Sequence, residues 1–61
     1  MKSYEVHRIK KSFMPDSTEE LRKETEDLLN QRAAMGYKLV KVDFEMPSNS
    51  SYIYSFVVFE K

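Results

Sequence analysis

Apolar side chains occupy both sides of one stretch near the C-terminal end, Tyr52 to Phe59, which reads Tyr-Ile-Tyr-Ser-Phe-Val-Val-Phe. Its β-branched and aromatic content predicts a strand. Side chains alternate along a strand, so Tyr52, Tyr54, Phe56 and Val58 share one side and Ile53, Ser55, Val57 and Phe59 the other. A strand apolar on both sides belongs in the middle of a sheet.

Two further alternating stretches flank it. Ser3 to Lys11 predicts a first strand, with Tyr4 and Val6 on one side and Glu5, His7 and Ile9 on the other. Its basic end, Arg8, Lys10 and Lys11, suits a solvated edge. Phe13 and Met14 are expected to tuck under the following loop, and Pro15 ends the strand. Tyr37 to Met46 predicts the second strand. Val40, Val42, Phe44 and Met46 form one face, and Tyr37 and Leu39 begin the other, which turns polar at Lys41, Asp43 and Glu45. Pro47-Ser48-Asn49-Ser50-Ser51 reads as the hairpin loop before the third strand.

Between the first two strands the period changes from two to about 3.6. Leu21, Thr25, Leu28, Leu29, Arg32 and Ala33 fall near one stripe of a helix, and Arg22, Lys23, Glu26, Asp27 and Asn30 form a solvated face. Ser17-Thr18-Glu19-Glu20 matches a capping box in which Ser17 and Glu20 satisfy each other's amides. Asp16, Glu19 and Glu20 favour the positive end of the helix dipole. Glu19 and Lys23 form an i,i+4 pair of the better orientation. Gly36, the only glycine, stands where the pattern stops and suits a left-handed helix terminus.

These elements predict one α+β domain over residues 1–61, ordered β-α-β-β. Its three-stranded antiparallel sheet has the order 2-3-1, with one helix on one face. The helix is assigned to the side carrying Val40, Val42, Phe44, Ile53, Val57 and Phe59, where Ser55 allows close approach. The other side then holds Tyr37, Leu39, Tyr52, Tyr54, Phe56 and Val58, together with His7 and Ile9. Tyrosine suits a surface half buried against a partner, because its hydroxyl stays wet. That face is expected to be buried in a homodimer or higher even oligomer.

Composition narrows the chemistry. Sixty-one residues without cysteine have neither the core of a large domain nor disulfides, and oligomerisation is the usual remaining support. One histidine rules out a His/Cys metal site. One glycine rules out a Gly-rich phosphate loop. Ten basic and ten acidic residues cancel, which argues against nucleic acid and anionic membrane as default partners. No run is long enough for a membrane span, and Met-Lys-Ser-Tyr-Glu-Val carries no hydrophobic signal region. A cytoplasmic protein is the expectation.

Leu28-Leu29-Asn30, followed by Gly36-Tyr37-Lys38-Leu39-Val40, resembles a group of short bacterial and phage domains of unknown function. In that group a Tyr-rich first strand, a leucine-bearing helix and Gly-Trp-Glu-Leu-Val at the next strand recur in order. Tyr4-Glu5-Val6 and Val58-Phe59-Glu60-Lys61 fall in the matching places, and Tyr37 stands where the group has tryptophan. The resemblance covers nearly the whole chain. It implies a strand-helix-strand-strand fold and brings no catalytic residues.

His7 lacks an evident nucleophile and a third group to orient it, and capping accounts for Asp16, Glu19 and Glu20. No catalytic, cofactor-binding or metal-binding residues are therefore assigned. The expected function is a non-enzymatic, homo-oligomeric protein-interaction module, of the kind a small phage-type inhibitor or adaptor uses against a host protein. Its interface or ligand face is Tyr37, Leu39, Tyr52, Tyr54, Phe56, Val58 and His7. The alternative is a binder of a nucleotide or single-stranded nucleic acid that stacks bases on Tyr52, Tyr54 and Phe56, with Arg8, Lys10, Lys11 and Lys38 on the phosphates.

Overall fold

The computed structural model describes residues 2–61. Strand β1 (Tyr4–Ser12) leads to helix α1 (Ser17–Ala34), then β2 (Lys38–Glu45) and β3 (Tyr52–Glu60). The sheet is antiparallel in the order β1-β3-β2, so the doubly apolar strand is central, as the sequence predicts. No helix among the described residues is long and apolar enough to cross a membrane.

The helix lies on the Ile53, Ser55, Val57 and Phe59 side of β3, and all four are buried. Leu21 and Thr25 are the helix residues of the predicted stripe that bury fully. Between them and the sheet sits one buried polar contact. The Thr25 and Ser55 hydroxyl oxygens are 2.9 Å apart, and Thr25 Oγ1 also lies 2.7 Å from the Leu21 carbonyl. Thr25 has one hydroxyl proton, so it donates to Leu21 and the Ser55 hydroxyl donates to Thr25. Serine in a row of large apolar residues thus brings the helix close and satisfies a group that burial would otherwise penalise.

The helix ends as its glycine predicts. Gly36 has φ +88°. Its N–H donates to the Ala33 carbonyl (3.1 Å), and the Tyr37 N–H donates to the Arg32 carbonyl (3.0 Å), the paired bonds of a Schellman terminus. A Cβ on Gly36 would meet nothing within 4 Å, so glycine is required there by backbone conformation alone.

The helix start differs from the expected capping box. Asp16 occupies the cap without a side-chain bond. Ser17 is buried as the first helical residue, and its hydroxyl donates to the Met14 carbonyl (2.8 Å) and accepts from the Met14 N–H (3.0 Å). The loop claims this hydroxyl, so it is not free for Glu20. Phe13 and Met14 are exposed rather than tucked under. Their backbone is held by the Ser17 bonds and by Phe13 N–H to the Ser51 carbonyl at 2.7 Å, with the side chains left outside. The Glu19–Lys23 pair gives way to Arg22, whose guanidinium spans Glu19 (2.6 Å) and Glu26 (3.1 Å). A planar fork reaches carboxylates on successive turns better than an ammonium does.

Strand β2 departs from strict alternation. Leu39 pairs with Phe59, but the next pairing is Lys41 with Val58, leaving Val40 as an extra residue. A bulge of this kind shifts the side-chain phase by one. Val42 and Phe44 keep the helix side, opposite Val57 and Ser55. Leu39 changes sides relative to Lys41, Asp43 and Glu45, and Val40 drops out of the expected face.

The resulting molecule is a thin plate. Its Cα extents are 40 × 19 × 11 Å. Its radius of gyration of 12.6 Å exceeds the roughly 10.5 Å of an ordinarily compact chain of this length. Four large hydrophobic side chains are buried, against ten exposed among the described residues.

Two substitutions test this account. Gly36→Ala should lower stability by about 1 kcal/mol and Gly36→Val by about 2, read as a lower urea midpoint at unchanged m-value. Thr25→Val should cost about 1–2 kcal/mol because Ser55 loses its partner, and adding Ser55→Ala should recover part of that loss.

Candidate functional site

Antiparallel partners directly opposite each other point to the same side of a sheet, so the register defines the uncovered face. Val6 and Lys41 flank Val58, Arg8 and Asp43 flank Phe56, and Lys10 and Glu45 flank Tyr54. Tyr52 extends this central column at one end and Glu60 at the other, with Tyr4 and Lys38 beside Glu60. The Tyr54 and Phe56 rings lie nearly parallel, with centroids 6.1 Å apart. Lys10 Nζ sits 4.2 Å from the centre of the Tyr52 ring, a cation–π contact. Tyr54, Phe56 and Val58 are half-buried, whereas Tyr52, Tyr4 and Val6 are exposed, Tyr4 to 60 % and Val6 to 71 %.

Charges border this column on both sides. Arg8 and Lys10 line the β1 edge, while Asp43 and Glu45 line the β2 edge at the same two levels. Asp43 is paired with Lys41 at 3.3 Å. Arg8, Lys10 and Glu45 enter no ion pair among the described residues.

Of the expected face residues, Tyr52, Tyr54, Phe56 and Val58 lie together here. His7, Leu39 and Tyr37 do not. His7 pairs with Val57 and its ring packs edge-on to Phe59 with centroids 5.7 Å apart, so it faces the helix. Ile9, opposite Ser55, goes with it. Leu39 is carried to the helix side by the Val40 bulge. The Tyr37 ring meets Phe59 edge-on at 6.2 Å, just past the Schellman terminus. In their place the face gains Tyr4 and Val6.

Ion pairs to the helix accompany this orientation of β1. Arg32 Nε lies 3.2 Å from Glu5 Oε1, and Lys11 pairs with Glu24 and, at 3.8 Å, with Glu20. The Glu5 and Lys11 side of β1 therefore matches charges on the helix. Arg32 Nε is close enough for ion pairing but is not aligned for a hydrogen bond, which leaves it a buried donor without an acceptor. Glu5 also binds His7 Nε2 at 2.7 Å. Hydrogen bonding from His7, then from Tyr37, with Arg32 close by, holds the Glu5 carboxyl below its ordinary value of 4.5. The same contact with Glu5 raises the Tyr37 phenol.

This polar cluster engages His7 and Tyr37 with Glu5. Among the described residues no group of acidic, histidine or cysteine side chains has the arrangement of a metal site. Two clefts border the helix. One of about 500 Å³ lies against β1, lined by His7, Ile9, Glu24, Asp27 and Leu28. A smaller apolar groove of about 220 Å³ lies against β2, lined by Leu21, Phe44, Met46 and Ile53.

No protein-family model, curated protein or solved structure matches the chain.

The Glu5 cluster has a pH signature. A carboxyl whose folded pKa is depressed stabilises the fold fully above its unfolded value and loses that contribution as pH falls through the lower folded value. Acid unfolding below about pH 4.5 should therefore be less steep in Glu5→Gln than in the parent chain, measured as urea midpoints from pH 7 down to pH 3.

Proposed function

We propose that this protein is a non-enzymatic interaction module that associates with itself through the uncovered sheet face. The observation that carries the reading is the continuous column Tyr52, Tyr54, Phe56 and Val58, widened by the exposed Tyr4 and Val6, on a sheet with a single helix on its other side. A face of three strands about 4.8 Å apart and nine residues long covers roughly 30 × 14 Å. Two such faces bury on the order of 1,000 Å², the low end of specific interfaces. Weak, transient contacts are found at this size. Aromatic residues at the centre with charges at the rim match the anatomy of protein–protein contacts.

One observation favours a second reading, the binding of a nucleotide or single-stranded nucleic acid. The parallel Tyr54 and Phe56 rings lie beside Arg8 and Lys10, two cations with no carboxylate partner. Stacking platforms use such neighbours. The acidic β2 edge, Asp43 and Glu45, opposes a phosphate backbone, so this reading ranks second.

Light scattering coupled to size exclusion tests the first reading. The parent chain at about 100 µM should show twice the 7.3 kDa chain mass, and Phe56→Glu should return it to the monomer mass with unchanged helical circular dichroism. A parent chain that stays monomeric overturns self-association. Tyrosine fluorescence that responds to oligonucleotide under those conditions would move the assignment to the second reading.

A further inference from the structure

We infer that the second copy stacks with its two-fold axis parallel to the strands, so that the basic β1 edge of each copy lies over the acidic β2 edge of the other. The inference rests on the self-association reading and specifies its partner geometry.

Two sheets that stack face to face with their strands aligned admit two orientations of a two-fold axis lying between them. An axis running across the strands places β1 over β1 and β2 over β2. The levels along the strands then reverse: an axis at the Phe56 level sets Arg8 against Arg8 and Asp43 against Asp43, one between Phe56 and Tyr54 sets Arg8 against Lys10 and Asp43 against Glu45, and like charges in a desolvated contact oppose association. An axis running along the strands exchanges the two edges while keeping each residue at its own level. Arg8 and Asp43 both flank Phe56, so Arg8 of one copy falls over Asp43 of the other. Lys10 and Glu45 both flank Tyr54, so Lys10 falls over Glu45. The central column then meets itself, Phe56 on Phe56 and Tyr54 on Tyr54.

The remaining levels are compatible with this arrangement. Val6, opposite Val58, falls over Lys41, whose methylene stem covers apolar surface while its ammonium stays with Asp43. Tyr4 falls over Lys38, a second long stem. Glu60 approaches its own copy, at the far end of the column where twisted sheets diverge, and its carboxylate is already paired with Lys2 at 3.5 Å. Two-fold symmetry doubles each contact, giving four cross-copy ion pairs around an aromatic centre. The pairs select the orientation, and the aromatic column supplies most of the buried apolar area.

Sedimentation equilibrium on full-length variants tests the geometry. Arg8→Glu with Lys10→Glu should weaken self-association at least tenfold, as should Asp43→Lys with Glu45→Lys. Combining all four substitutions in one chain should restore the parent affinity to within about threefold. An equimolar mixture of the two double variants should form a mixed dimer, resolved by native mass spectrometry, where neither does so alone. All four side chains are exposed, and recovery in the fourfold variant shows that the substitutions leave the fold intact. A parent dimer indifferent to either charge reversal overturns this arrangement and leaves self-association standing. A monomeric parent chain overturns both.

Discussion

The hydroxyl contact between Thr25 and Ser55 holds the helix close against one side of the sheet. Among the described residues it is the one fully buried polar link between helix and sheet, and it needs both partners at short range. Because side chains alternate, fixing the orientation of Ser55 fixes every other residue of β3. Ile53, Val57 and Phe59 go under the helix with it, and Tyr52, Tyr54, Phe56 and Val58 go outward. Any larger residue at position 55 would push the helix away from a core in which, among the described residues, four hydrophobic side chains are buried.

Strand β1 follows a different logic. Its helix side carries Glu5 and Lys11, and its outer side carries Tyr4 and Val6. Exposed or half-exposed ion pairs contribute about 1 kcal/mol or less each. Burying a valine or an aromatic side chain is worth roughly 1.5–3 kcal/mol. Within a single chain the outward placement of Tyr4 and Val6 therefore leaves apolar burial unrealised that the ion pairs to Arg32, Glu20 and Glu24 do not replace. In the proposed dimer a second face laid over them would supply the missing term, which links the electrostatics of one side of β1 to the proposed contact on its other side.

Much of this architecture is legible in the residue pattern. The doubly apolar Tyr52–Phe59 identifies the central strand, the 3.6-residue period identifies the helix, and Gly36 marks its end. The β-α-β-β order and the 2-3-1 sheet follow from these. The outer column of the candidate face is legible for the same reason, since a strand apolar on both sides has one side to spare. The phases of the edge strands are not. In β1 both sides mix apolar and charged residues, and the choice between them depends on helix charges about ten to thirty residues away. In β2 the alternation reads correctly from Lys41 onward and fails before it, because a bulge at a valine has no residue signature of its own. Unbroken alternation puts His7, Leu39 and Tyr37 on the outer face, and they belong to the helix side for these two reasons. Ser17 illustrates a third limit. The capping pattern is present in the residues, but a neighbouring loop reaches the hydroxyl first.

The extra residue in β2 makes chain length at that point matter more than side-chain identity. Deleting Val40 would leave Leu39 opposite Phe59 and Lys41 opposite Val58 as a regular ladder and would remove the local bend that the bulge puts into the strand. Exchanging Val40 for another β-branched residue would alter little. Spacing, rather than chemistry, is what this position contributes: it sets the angle at which the end of the helix hands the chain to the sheet.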